Sequence, residues 1–429
     1  MPESDLALDG GPRAVTEPQN DGWKTVTGLE KQSVMNVLEG GLGDSYSQID
    51  GFQEEFRAFT GSRFAIATCN GTAAIHSAVF ASGACIGKEV IVPSVTWHAS
   101  ITPILHCGAT PVFCDADPGT FCADPGDAER RITENTCAII VTHVYGNPAH
   151  MDAFRELVDG TDITLIEDAS HAHGALWNGT PVGSLGHVGC FSLQGSKPVT
   201  GIEAGVVVTD DEDLYDRMLA LGHYGRCEKA FVTDRFRDLR NMGLGIKYRA
   251  NPLGVAMARA QLERLPGLNE KRRAWFGRLN SKLKSVKGIH PQATYPQAVR
   301  GGLLLYTGTI DAPDIGAPVS VILKALVAEG VATTPAITPF GYGVMHLEPL
   351  FNDFPFDDLG GPWGDLPPDT RIRYTRGDLP VSERIHDSSF WLSTPVDPNP
   401  AWVDQVAAAF SKVANHGERL AEIAADEAA

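Results

Sequence analysis

The stretch Ile163–Thr209, ITLIEDASHAHGALWNGTPVGSLGHVGCFSLQGSKPVTGIEAGVVVT, decides how the rest of the chain is read. It opens on an apolar run that ends in Glu167-Asp168, passes through a second run ending at Leu193, and closes on GVVVT. Unbroken apolar strands, rather than alternating ones, are what a parallel sheet covered on both faces requires. A carboxylate at the C-terminal end of such a strand sits where open α/β sheets bind ligands. Lys197 and Glu203 lie in the loop between the second and third runs. A lysine there is either a solvent-reaching surface residue or a functional amine, because burying an ammonium is costly.

Working outward, the same alternation of short β-branched runs and helix-period segments extends from Arg63 to Thr209, the pattern of βαβ units. Strands are predicted at Phe64–Cys69, Glu89–Pro93, Pro111–Asp115, Ala138–Val144, Ile163–Asp168, Gly189–Leu193 and Gly205–Thr209, with helices at Thr72–Ser82 and Met151–Val158. The fold class is α/β, with a mostly parallel seven-stranded sheet. Pro103 falls inside a predicted helix and should kink or shorten it. Helix signals continue to the charged stretch LERLPGLNEKRRAWFGRLNSKL, ending at Leu283, where a domain boundary is expected. A smaller C-terminal α/β unit should follow, with helices at Val319–Glu329 and Pro400–Ala414. The division is 1–28, an N-terminal arm expected to be loose; 29–287, the large domain; and 288–429, the small one. The Pro- and Gly-dense acidic stretch Asn352–Asp369 reads as a long surface loop.

The 429 residues, 43% hydrophobic and 21% charged, describe an ordinary globular protein with a sizeable core. A formal charge of -18 repels phosphate backbones and anionic membranes, which argues against nucleic acid and membrane partners. The eight cysteines are scattered without a CxxC pair, as in a reducing cytoplasm. No secretory or transit signal opens the chain, and no apolar run is long enough to span a membrane.

Three segments carry chemistry. In TCNGTAAIHSAVFASG (Thr68–Gly83) a strand turns at Asn70-Gly71-Thr72 into a helix, whose start offers unpaired amides to an anion; a plain N-cap role for Asn70 is the other reading. Asp168 can hold a protonated ring nitrogen, a ribose hydroxyl or a cation. The His171/His173 pair lacks the further ligands of a zinc site, and no metal is expected. Lys197 supplies an amine. A phosphate cradle, a carboxylate and an amine are together what pyridoxal phosphate requires: its ring is an electron sink while its nitrogen stays protonated, and its aldehyde bonds a lysine. An aromatic ring must cover the pyridine face, and PSVTWHAS (Pro93–Ser100) offers Trp97.

These segments resemble the DegT/DnrJ/EryC1/StrS family of sugar and cyclitol aminotransferases, of the fold-type-I pyridoxal-phosphate superfamily, from about Leu29 to about Ala414. GTAAIHSAV is similar to the family's phosphate turn, which implies phosphate contacts by Gly71 and Thr72. PSVTWHAS resembles the stacking segment, implying that role for Trp97. HVYGNPAHMD and EDASHAHGA resemble family motifs that place the pyridinium partner at Asp168 and a ring contact at His171. FSLQGSK keeps the family's serine-to-lysine spacing, implying a phosphate contact by Ser192 and the cofactor-bonding amine at Lys197. GIKYRANPLGVAMARAQLERL resembles the segment that such homodimers insert into the partner's site, which implies that Lys247 reaches the partner's phosphate.

The resemblance implies an aminotransferase of secondary-metabolite, including antibiotic, biosynthesis. It would move nitrogen from L-glutamine or L-glutamate to a ketone of a sugar or cyclitol. Gln194 is more like the cyclitol branch than the nucleotide-sugar branch, and Ala204 stands where a glycine is usual. Candidate acceptor contacts are Gly40–Ser47, His98, His171 and Thr338–His346. The alternative keeps the cofactor but ends in elimination, as in dehydratases or aromatising enzymes of the aminodehydroquinate type. A non-catalytic ligand sensor is disfavoured by the intact Lys197 and Asp168. A nicotinamide enzyme lacks its G-x-G-x-x-G turn.

Overall fold

The computed structural model describes residues 5–41, 45–239, 242–333, 344–352 and 372–428. Its main sheet has seven strands: β1 (Phe64–Thr68), β2 (Glu89–Pro93), β3 (Thr110–Cys114), β4 (Thr136–Thr142), β5 (Thr164–Asp168), β6 (Val188–Ser192) and β7 (Gly205–Thr209). They lie in the order β1-β7-β6-β5-β4-β2-β3. The strands β2 to β6 pair in parallel, and β7 runs antiparallel to both β6 and β1. Each strand falls within two residues of its predicted bounds.

Strand pleating sends successive side chains to opposite faces, so each apolar run feeds two cores. Ala65, Ile91, Ile139, Val141, Leu165, Phe191 and Val206 join one core, with the helices Ser45–Thr60, Met151–Val158 and the first half of Pro252–Leu283. Their neighbours Ile66, Val90, Val92, Ile140, Ile166, Cys190 and Val207 join the other, beneath the helix Gly71–Ala81. With both faces covered, no position along these strands needs to be polar until the strand ends.

A further core assembles around a three-stranded antiparallel sheet of Ile289–Pro291, Tyr306–Ile310 and Ser389–Leu392, covered by Val319–Ala328 and Pro400–Ala414. The charged stretch ending at Leu283 belongs to one helix, Pro252–Leu283, whose Leu265 and Leu268 enter the large-sheet core while Trp275, Leu279 and Leu283 enter the C-terminal one. Pro103 stands in the first turn of Thr102–His106, where a missing N–H costs nothing; of the two outcomes expected of it, the helix is short and not kinked. One expectation is corrected here: residues 5–22 are not loose. Leu6 and Val15 are buried in the C-terminal core. The buried carboxylate of Glu329 accepts from Ala7 N at 2.8 Å and Ala14 N at 2.9 Å, beside the Lys412 ammonium at 3.0 Å. A carboxylate taken out of water must be so satisfied, and that need ties the N-terminal segment down. The loop expected at Asn352–Asp369 lies, beyond Asn352, outside the described residues. Among the described residues, no helix is long and apolar enough to cross a membrane.

Candidate active site

The C-terminal ends of β1, β2, β4, β5 and β6 open on one side of the sheet, and a cavity of about 540 Å³ lies across them. Seven of the eight residues named from sequence line it: Gly71, Thr72, Trp97, Asp168, His171, Ser192 and Lys197. The eighth, Lys247, is exposed, pairs through its backbone with His223, and does not line the cavity of its own chain.

At one end, the helix Gly71–Ala81 points its N-terminus into the cavity. Asn70 does cap it, with Oδ1 accepting from Ala73 N at 2.8 Å, so the plainer reading of Asn70 also holds. The decisive residue is Gly71: a Cβ there would stand 2.6 Å from Ser192 Cβ and 2.9 Å from Ser192 Cα. Strand β6 and the helix start are therefore in contact, and only glycine permits it. That contact brings the first-turn amides and the hydroxyls of Thr72 and Ser192 to one place, a donor set that fits a phosphate.

Deeper in, Asp168 ends β5 at 4% exposure. Its Oδ2 accepts from Ser100 Oγ at 2.6 Å and its Oδ1 from Ser170 N at 3.1 Å, so both oxygens are held. Lys197 is half-buried in the loop after β6. Burial pushes its amine from the ordinary 10.5 down to about 8, against the opposing attraction of Asp168. His171 lies parallel to Tyr145, with ring centroids 5.8 Å apart and planes at 6°. Tyr145 N approaches its Nδ1 at 3.4 Å, which places the proton of the neutral ring on Nε2. Burial, with the Lys197 charge behind it, pushes the pKa of His171 well down. Tyr145 keeps this stack at a positive φ of 54°, a conformation that costs a bulky residue energy. His173 turns away from the cavity and packs on Phe191 at 5.4 Å. Trp97, 39% exposed, lines the cavity with its ring against His98 at 4.8 Å.

The acceptor contacts expected from sequence fare unevenly. His171 lines the cavity; His98 sits behind Trp97 and does not. Residues 42–44 and 338–343 lie outside the described residues; Gly40, Gly41 and Ser45–Ser47 do not line the cavity, whereas Val344 does. Sequence reasoning missed a wall from the C-terminal part of the chain, formed by Leu304, Thr307, Ser382, His386, Ser389 and Trp391. Asp115, at the end of β3, seats that wall by accepting from Val381 N at 3.0 Å, Ser382 N at 2.7 Å and Ser382 Oγ at 2.7 Å. His346 adds a second tie, bridging Ser94 Oγ at 2.7 Å to Glu383 Oε1 at 3.2 Å. No local motif marks these residues, because each is brought in by a contact from far along the chain.

With an amine, an anchored carboxylate and a phosphate-sized donor cluster in one cavity, the comparison with known proteins is decisive. Residues 25–354 match the family model of the DegT/DnrJ/EryC1/StrS aminotransferase family. The chain belongs to this family. It is an aminotransferase of α/β fold, taking nitrogen from a small-molecule donor to a keto acceptor. It is 33% identical to the L-glutamine:scyllo-inosose aminotransferase of Streptomyces griseus, over 96% of this chain and 98% of that one. To the L-glutamine:2-deoxy-scyllo-inosose aminotransferase of Streptoalloteichus tenebrarius it is 34% identical, over 78% of each. Among solved structures, DesI, crystallised in the presence of its TDP-sugar product, superposes with a TM-score of 0.76 at 27% identity, covering 99% of both chains.

Proposed function

We propose that this protein is a pyridoxal-phosphate-dependent aminotransferase that moves the amino group of L-glutamine, with L-glutamate as the other donor, to the ketone of a cyclitol in secondary metabolism. The observation that carries this reading is the convergence of Lys197, Asp168 and the Gly71–Ser192 donor cluster on one cavity. When bound, pyridoxal phosphate supplies a carbonyl that takes up nitrogen and a ring that accepts electrons. Gly71, Thr72 and Ser192 would hold its phosphate, Asp168 would keep the proton on the ring nitrogen, and Trp97 and His171 would border the ring. Lys197, partly neutral near pH 7 because burial weakens it as a base, would bond the cofactor's carbonyl and carry the proton at the amino-bearing carbon.

The names of the relatives support an inosose-type acceptor, and so does the charge of the cavity. Lys197 is the one lysine or arginine among the described lining residues of this chain, so these residues offer a nucleoside diphosphate no second cation. The cavity suits an uncharged polyhydroxylated ring. We propose further that the active unit is a cytoplasmic homodimer in which Lys247 reaches the partner's phosphate site. The exposed apolar side chains of Ile202 (65%), Met242 (77%) and Leu244 (52%) support a covering surface nearby.

The test is to incubate the reconstituted protein with α-¹⁵N-L-glutamine and scyllo-inosose, or with a nucleotide ketosugar, and weigh the products. Labelled nitrogen in the cyclitol is the expected result. Transfer to the nucleotide sugar alone would overturn the acceptor assignment, and loss of water without nitrogen transfer would overturn transamination in favour of the eliminating alternative.

A further inference from the structure

Beneath the Trp97 segment, three hydroxyls link the ends of β4 and β5. Thr142 Oγ1 lies 2.8 Å from Thr96 Oγ1, Thr96 Oγ1 lies 2.8 Å from Ser100 Oγ, and Ser100 Oγ lies 2.6 Å from Asp168 Oδ2. Ser100 and Thr142 are buried, at 0% and 3% exposure. Thr142 and Asp168 are also register partners in the parallel β4–β5 pair. The chain thus closes a loop from one strand end, through the segment that carries Trp97, to the next.

Its direction follows from counting hydrogens. An ionised carboxylate only accepts, and a hydroxyl has one hydrogen to give. Ser100 spends that hydrogen on Asp168, so Thr96 must donate to Ser100, and Thr142 to Thr96. Ser100 and Thr96 then both donate and accept, Thr142 heads the chain as a donor, and the bond that ends on the charge is the shortest, as charge-assisted bonds are. With Oδ1 held from the other side by Ser170 N, the plane of the Asp168 carboxylate cannot turn.

We propose that Ser100, backed by Thr96 and Thr142, is a positioning residue that aims the Asp168 carboxylate and locks it to the Trp97 segment, so that the ring's edge partner and its face partner move as one body. This rests on the cofactor reading above. None of the three hydroxyls acts on a reacting atom; each acts through Asp168 or through the backbone next to Trp97.

The experiment titrates pyridoxal phosphate into apoprotein of the parent, Ser100→Ala, Ser100→Thr and Thr96→Val, and records the melting temperature of each apoprotein alongside. Loss of a hydrogen bond to a charged group weakens binding by roughly tenfold to a hundredfold, so Ser100→Ala should bind the cofactor that much less tightly. Ser100→Thr, which keeps the hydroxyl, should recover most of the affinity. Thr96→Val should weaken binding in the same direction but less, because Ser100 still donates to Asp168, and it serves where Ser100→Ala does not fold. Parent-like affinity in both Ser100→Ala and Thr96→Val, or a lower melting temperature with unchanged affinity, would overturn the proposal. Failure of the parent itself to bind pyridoxal phosphate would instead remove the cofactor reading on which it stands.

Discussion

The depressed basicity of Lys197 makes a quantitative forecast about the protein without its cofactor. At pH about 7.5, roughly a quarter of an amine with a pKa of about 8 is neutral, against about one in a thousand for an ordinary lysine. Apoprotein treated with a limiting aldehyde and a borohydride reductant across a pH series should therefore label Lys197 with a midpoint near 8. Peptide mass analysis reads this, with the exposed Lys31 and Lys287 as internal controls.

The same shift couples to stability. Between about pH 8 and pH 10.5 the unfolded chain holds a proton on Lys197 that the folded chain has shed, so stability rises with pH across that window. Below it, the folded state carries the whole cost of a partly buried ammonium, at most about 3 kcal/mol. Lys197→Met should relieve that cost, so its apoprotein should unfold at higher denaturant than the parent at pH 7, with a flatter pH dependence above 8. A labelling midpoint near 10.5, or a Lys197→Met apoprotein less stable than the parent at pH 7, would refute the reasoning.

Two further outcomes follow from the site. Asp168→Asn, which keeps the shape but not the charge opposite the ring nitrogen, should still bind cofactor yet lose turnover by orders of magnitude in steady-state assays; near-parental kcat would contradict the role assigned to the carboxylate. Gly71→Ala forces a Cβ to within 2.6 Å of Ser192 Cβ, and overpacking of this kind typically costs about 1–3 kcal/mol. Its apoprotein should melt lower and bind pyridoxal phosphate more weakly in a fluorescence titration, and an unchanged affinity would show that the helix start is not the phosphate cradle.

How much of the site is legible in the sequence depends on how local its parts are. Asp168 and Gly71 are legible because each stands at or just past the end of an apolar run, where a buried strand gives way to a loop, whereas Ser192 is reached through the family resemblance. The segment PSVTWHAS drew attention for its tryptophan, while Ser94, Thr96 and Ser100 in the same eight residues passed as ordinary loop hydroxyls. Their partners, His346, Thr142 and Asp168, lie 252, 46 and 68 positions away. Ser382, His386, Ser389 and Trp391 carry no signal at all, since a short helix and a strand look the same whether or not they face a cavity.

The primary structure alone determined the strands of the sheet. They are short and largely apolar, and burial on both faces accounts for that pattern and for a mostly parallel sheet; the strand order and the antiparallel placement of β7 came from the tertiary structure. The primary structure also determined the chemical types available at the strand ends: an amine, a carboxylate and a glycine-led helix start. What only the tertiary structure decided is how those types are tuned and enclosed. Burial weakens Lys197 as a base, a three-hydroxyl chain holds Asp168, and Asp115 and His346 fasten a distant wall across the cavity. Desolvation and hydrogen-bond geometry are properties of neighbours in space, and most of these neighbours are far apart along the chain.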